Sequence, residues 1–176
     1  STPLYSSAAS DVYKRQVALH LSDDEEISHA FEAMMTAVKR RVSGAEIQGV
    51  RIEPMASAGV EILVGITTEP GFSPILTLGS GGILVELIND VISLPVPVTS
   101  RQAQRMVEQL RSWPLLQGHR GRARADVPAL FELIVKVSDF ATAQGDKLRA
   151  LDLNPVIVHP IGSGITIADV VIEPSQ

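Results

Sequence analysis

Ala150-Leu151-Asp152-Leu153-Asn154-Pro155-Val156-Ile157-Val158, the turn Pro160-Ile161-Gly162-Ser163-Gly164 and the return run Ile165-Thr166-Ile167-Ala168-Asp169-Val170-Val171-Ile172 decide the fold. Apolar residues alternate on both sides of a Pro- and Gly-bearing turn, which predicts two strands, about 148 to 159 and 165 to 173, paired as a hairpin. Asp152 and Asn154 are two apart, so they leave the same face of their strand, while Leu151 and Leu153 point into the core. If Pro160 pairs with Ser163, Asn154 falls opposite Asp169. Cross-strand neighbours have Cβ atoms about 4.5 to 5.5 Å apart, near enough for their oxygens to share one cation. A slip of one residue would turn Asp169 to the other face.

Asp152, Asn154 and Asp169 are oxygen donors with no His or Cys among them, and such a set suits a hard divalent ion. Mg²⁺ fits best, because it prefers oxygen, keeps some waters and takes its remaining ligands from nucleotide phosphates. A solvated sheet face with an Asn-Pro turn starter explains the same spacing without any ion.

Upstream of the hairpin, a helix is predicted from Asp126, with Pro128 in its first turn, a stripe of Val127, Leu130, Phe131, Ile134, Ser138 and Ala141, and Gly145 at its end. Another opens at Thr99 with Gln102 three residues later; Ala103, Met106, Val107 and Leu110 form its stripe, and it stops before Pro114. From 45 to 98 the period is two: Val50 and Ile52, Val60 to Ile66, Ile75 to Leu78, Ile83 to Ile88 and Val91 to Val96 read as short strands. The earliest element is a helix over 22–43. Ser22-Asp23-Asp24-Glu25 forms a capping box, Ile27, Phe31, Met34 and Val38 recur at helical spacing, and Gly44 supplies a left-handed stop. Helix, strands, two helices and hairpin make an α+β chain with a mainly antiparallel sheet and helices over one face. Residues 1–16 have no apolar period and are expected to be a flexible tail or a translated adapter sequence, the natural N-terminus being absent; 17–176 is the folded part.

The chain has 176 residues, Lys+Arg 15 against Asp+Glu 20, a net charge of −5 and no cysteine. That fits one soluble domain or a piece of a larger one. The acidic balance gives no broad footprint for nucleic acid. Without cysteine, disulfides, thiolate zinc sites and cysteine nucleophiles are excluded. No apolar run reaches the roughly 18 to 20 residues of a membrane span, so no membrane partner is expected and the default setting is cytoplasmic.

Other stretches carry two readings each. Gly79-Ser80-Gly81-Gly82, placed between apolar runs, lets backbone amides approach an anion, or is a tight turn. Glu86 stands in an otherwise apolar run just after it. Glu53-Pro54-Met55 and Glu61 are carboxylates at a cleft rim or ordinary exposed acids. Gln117 to Arg124 places Arg120, Arg122 and Arg124 in a glycine-bearing loop that could hold a phosphate or carboxylate, or be solvated. His20, His29, His119 and His159 lack metal-ligand spacing.

The strings VRIEPMASAGVEILVG, LTLGSGGILVELINDV, PLLQGHRGRARAD and ALDLNPVIV occur in that order. Together, over Val17 to Ile172, they resemble the ATP-grasp domain of the nucleoside-diphosphate-forming acyl-CoA synthetases, relatives of the succinyl-CoA synthetase β subunit. The resemblance implies a ligase that uses ATP and Mg²⁺ to join a carboxylic acid to CoA, releasing ADP and phosphate, with an acyl phosphate and a phosphorylated histidine on the way. It assigns Asn154 and Asp169 to the metal, Asp152 to the catalytic acidic position, Glu53 and Met55 to the rim of the adenine pocket, Glu61 to the strand behind it, and Gly79, Gly81 and Gly82 to a glycine loop near the phosphates. The family's clamp lysine, its CoA-binding domain and its ligase domain have no counterpart in this sequence. The chain therefore resembles the C-terminal subdomain of an ATP-grasp unit, expected by itself to bind Mg-ATP weakly without turnover. Two other roles suit the same resemblance: a nucleotide-binding regulatory module of a multidomain protein acetyltransferase, and an α+β sandwich used for subunit contact.

Overall fold

The computed structural model describes residues 17–42, 44, 46–81, 90–118, 121 and 123–175. The chain divides into two compact units, Ser1–Met55 and Ala56–Gln176.

In the first unit, helix α1 spans Asp24–Arg41, with acids in its first turn and Lys39, Arg40 and Arg41 in its last. That arrangement complements the helix dipole. The cap is Asp23, one residue later than the spacing predicted: its carboxylate accepts from the Glu26 N–H at 2.8 Å, and Glu26 reaches back to the Ser22 N–H at 2.7 Å. Two adjacent acids, Glu25 and Glu26, offer alternative partners for a box, and the aspartate cap takes the second. Val50 and Ile52 do not form the predicted strand; residues 46–59 have no regular structure. Two alternating apolar residues are too few to define a buried face without a partner strand.

Among the described residues, the second unit is built on a six-stranded sheet with spatial order β3-β2-β1-β4-β5, β6 also pairing with β4. The strands are β1 (Val60–Thr67), β2 (Ile75–Ser80), β3 (Val91–Pro95), β4 (Leu148–Val158), β5 (Ile165–Ile167) and β6 (Val170–Pro174), and every pairing is antiparallel. The return strand predicted over 165–173 is thus two strands, broken at Ala168 and Asp169. The expected strand at Ile83 to Ile88 lies outside the described residues, as do Gly82 and Glu86.

Helix α2 (Ser100–Gln109) starts in the predicted capping box of Thr99 and Gln102. Beyond Leu110 the chain makes a further short helix, α3 (Trp113–Leu116), around Pro114. Proline is tolerated there because a first-turn N–H has no intrahelical partner in any case. Helix α4 (Val127–Gln144) is capped by Asp126 and ends at Gly145, whose φ is +52°. A 3₁₀ turn, Gly145–Lys147, leads into β4.

One face of the sheet carries the core. Ile62, Val64, Ile66, Leu76, Leu78, Leu151, Leu153, Val156 and Val158 are buried there with Ala103, Met106 and Val107 of α2 and Leu130, Ile134 and Ala141 of α4. Ser138 is the polar member of that α4 stripe. It is buried because its hydroxyl accepts the Val98 N–H at 2.6 Å, satisfying a donor just before α2. The other face of the sheet is left open by these helices. Among the described residues no helix is long and apolar enough to cross a membrane.

Candidate functional site

Strand β4 alternates as its sequence demands: Leu151 and Leu153 are buried, Asp152 and Asn154 exposed. Its pairing with β5 and β6 keeps a single register from Val158–Ile165 through Val156–Ile167 to Leu153–Val170 and Ala150–Glu173. The turn begins as predicted, with the Ser163 N–H donating to the Pro160 carbonyl at 2.9 Å.

Between the Leu153 and Val156 pairs, β4 carries two residues, Asn154 and Pro155, against the single Leu63 of β1. This is a bulge, a device that re-aims side chains where a strand bends. The return strand carries Ala168 and Asp169 at the same level, so the hairpin register passes through the irregularity unchanged. Asn154 donates its N–H to the Asp169 carbonyl at 3.3 Å, and Ala168 donates to Pro155 at 3.0 Å. Asn154 and Asp169 therefore stand opposite each other.

Asp169 is exposed, and its Oδ1 accepts the Val170 N–H at 2.8 Å, leaving its other oxygen free among the described residues. Asp152 ionises above the ordinary carboxylate range, first because the sheet partly desolvates it and then because the Asp169 carboxylate repels its charge. The two carboxylates are close enough to feel one another. No basic side chain forms an ion pair with either among the described residues. Two carboxylates and an amide oxygen held on one exposed face, without a compensating cation from the protein, fit a hard divalent ion such as Mg²⁺. They are a minimal set: no group of three or more His, Asp or Glu is assembled among the described residues.

Glu61 stands on β1 four residues from Gly65, the partner of Asp152, and so shares its open face. The separation along the strand is about 13 Å. Gly79 and Ser80 belong to strand β2, which corrects the expectation of a loop beginning at Gly79. Gly81 donates its N–H to the Glu61 carbonyl at 2.7 Å, and a Cβ at Gly81 would lie 2.5 Å from the Glu61 carbonyl carbon. At Gly79 a Cβ would come within 3.0 Å of Val91 Cγ1. Close approach of the Glu61 backbone thus accounts for Gly81, and packing of the Val91 side chain for Gly79. Glu53 and Met55 lie in the first unit, where Glu53 pairs with Arg51 at 2.6 Å. Arg120 and Arg122 lie outside the described residues. The Arg124 carbonyl accepts the Ile161 N–H at 2.8 Å, so this end of the loop is tied to the hairpin turn.

Sequence reading missed the buried Asp90. Its carboxylate accepts from the Ser80 hydroxyl, the Arg111 N–H at 2.8 Å and the Ser112 N–H at 3.1 Å. Burial raises its pKa, yet these donors together hold the group below the ordinary range. Asp90 thereby fastens the end of β2 to the start of α3. An acid beside the apolar run Val91-Ile92 was the available signal.

The ATP-grasp domain family matches residues 11–173, and the chain belongs to that family. Among its relatives, the chain is 34% identical over 153 residues to the β subunit of an ADP-forming acetate–CoA ligase II of Pyrococcus furiosus, covering 87% of this chain and 65% of that subunit. It is 38% identical over 154 residues to an ADP-forming 4-hydroxybutyrate–CoA ligase of Nitrosopumilus maritimus, covering 88% of this chain and 22% of that ligase. The fold is similar, with a TM-score of 0.78 and 31% identity, to the dinucleotide forming acetyl-coenzyme A synthetase 1 of Ca. Korarchaeum cryptofilum in complex with coenzyme A, Ca-AMPCP and HgCl⁺; the match covers 89% of this chain and 67% of that one.

Proposed function

We propose that this chain is the ATP- and Mg²⁺-binding part of an ADP-forming acyl-CoA synthetase, an acid–thiol ligase converting a carboxylic acid, CoA and ATP into acyl-CoA, ADP and phosphate. The chain spans 65% and 22% of the two curated relatives above, so CoA and the acid are taken to bind with a CoA-binding and ligase domain or subunit. A cytoplasmic setting suits a chain without cysteine.

The observation that carries this reading is the convergence of Asp152, Asn154 and Asp169 on the open sheet face. Asn154 and Asp169 would hold the metal, and Asp152 would orient it or the phosphates. Magnesium, when bound, neutralises phosphate charge. Strand β4 carries Asp152 and Asn154, and the break between β5 and β6 sets Asp169 opposite Asn154. The adenine contacts assigned to Glu53, Met55 and Glu61, and the phosphate contacts assigned to Gly79, Gly81 and Gly82, belong to the same proposal.

Titration calorimetry with Mg-ATP tests the reading. The wild-type chain is expected to give a binding heat that Asp169→Ala reduces at least tenfold in affinity, since one charge-assisted ligand is lost. Equal heats from both proteins would refute the metal assignment.

A further inference from the structure

Asp126 is 8% exposed and lies outside the donor set, yet it hydrogen-bonds to the hairpin as well as to its own helix. Its Oδ1 caps α4 by accepting the Ala129 N–H at 3.4 Å. Its Oδ2 accepts two N–H groups from the turn, Gly162 and Gly164, each at 2.9 Å. Its own N–H donates to the His159 carbonyl at 2.7 Å. Ala125 bridges Pro160, and Arg124 accepts from Ile161. The segment 124–126 therefore clasps the turn along its length. The Gly164 N–H foremost, with those of Ala129 and Gly162, holds the Asp126 carboxyl below its ordinary range against the opposing effect of burial.

This clasp adds to the turn's own backbone hydrogen bonds. Gly162 and Gly164 have φ of +83° and +73°, which glycine adopts readily. Hydrogen bonds from the Ser163 N–H to the Pro160 carbonyl at 2.9 Å and from the His159 N–H to the Gly164 carbonyl at 3.1 Å close the turn, and the Asp126 carboxylate takes the Gly162 and Gly164 N–H groups. Strand β5, which follows, is three residues long. A strand that short fixes register weakly, and one residue of slip turns every following side chain to the other face. Asp169 is the first functional residue after it.

We propose that Asp126 is a positioning residue for the Asp152–Asn154–Asp169 set, a latch holding the turn in the register that brings Asp169 to Asp152. The inference rests on the metal reading above and adds to it a residue that touches neither metal nor nucleotide.

The test is Mn²⁺ binding, used as a paramagnetic probe for Mg²⁺, on the full chain well below its melting temperature. Asp126→Ser keeps a side-chain oxygen able to cap α4 but is too short to accept from both turn glycines. It is expected to weaken Mn²⁺ binding about fivefold or more. Ile134→Val, which trims the core against the same helix, is expected to lower stability and leave Mn²⁺ affinity unchanged. Wild-type affinity in Asp126→Ser, or equal weakening in Ile134→Val, overturns the positioning role while leaving the metal site standing. Absence of Mn²⁺ binding in the wild type removes the metal reading and this inference with it. Should Asp126→Ser not fold, reciprocity supplies a readout in the wild type: saturating Mn²⁺, or Mg²⁺ where relaxation broadens the signals, must slow amide exchange at Gly162 and Gly164 severalfold. Unchanged exchange there counts against the latch.

Discussion

Asp152 and Asp169 are brought together by backbone pairing although their charges repel, and the cost appears as a pH-dependent stability. The folded pKa of Asp152 is raised from 3.8 by desolvation and then by Asp169. Below that range both folded and unfolded chains hold the proton, and nothing is lost. As pH rises from the unfolded value through the raised folded one, the unfolded chain ionises first, so folding loses stability; above it the loss is constant. The side chain is exposed, so screening limits the effect to at most about 1 kcal/mol. Asp152→Asn is therefore expected to be more stable than wild type by up to that amount at pH 7, and indistinguishable near pH 3. Urea denaturation at the two pH values measures the difference. Added Mg²⁺ should reverse the order at pH 7. A less stable Asp152→Asn at pH 7 without metal would show that Asp152 is held by a favourable contact instead.

At the scale of elements, Gly81 shows how two strands constrain one residue. Its Cβ would meet the backbone of Glu61, not a flexible side chain, at 2.5 Å. Gly81→Ala must therefore push β1 and the end of β2 apart, costing about 1 to 3 kcal/mol. Gly65, facing Asp152, has its nearest neighbour for a Cβ at 3.5 Å, ordinary contact. Gly65→Ala should cost less than about 1 kcal/mol, so thermal melts of the pair separate a crossing point from a merely small residue.

Elements are legible in a sequence to the extent that their signals are local. Helices α2 and α4 were legible because local signals agree: a capping oxygen at Thr99 or Asp126, an apolar stripe, and a proline or glycine beyond. Helix α3 was not, since four residues around Pro114 carry no period. Val50 and Ile52 alternate like a strand but acquire no partner strand among the described residues, and pairing is a long-range property. The hairpin register was legible because the turn residues and the alternation both indicate it. The bulge at Asn154 and Pro155 was not, because it is defined by a mismatch with β1 some 90 residues earlier. Asp126 was visible as a cap and invisible as a latch for the same reason: Gly162 and Gly164 reach it only after the chain has folded.

For the whole molecule, the balance of charge bears on how a nucleotide could bind. A chain of net charge −5, with Asp152, Asp169 and Glu61 on one sheet face, repels a polyphosphate. Attraction requires a cation between them, and this makes the proposed site conditional on metal. Binding to the folded state raises stability by RT ln(1 + [L]/Kd), about 1.4 kcal/mol at ten times Kd. For a chain of this size that corresponds to about 3 to 6 °C in melting temperature. Mg-ATP is therefore expected to raise the melting temperature by that amount, and ATP with a chelator by none. The shift should vanish in Asp169→Ala. A nucleotide effect that survives both the chelator and the substitution would locate ATP binding away from the hairpin, because only contacts made through the acidic set depend on the metal and on Asp169 together.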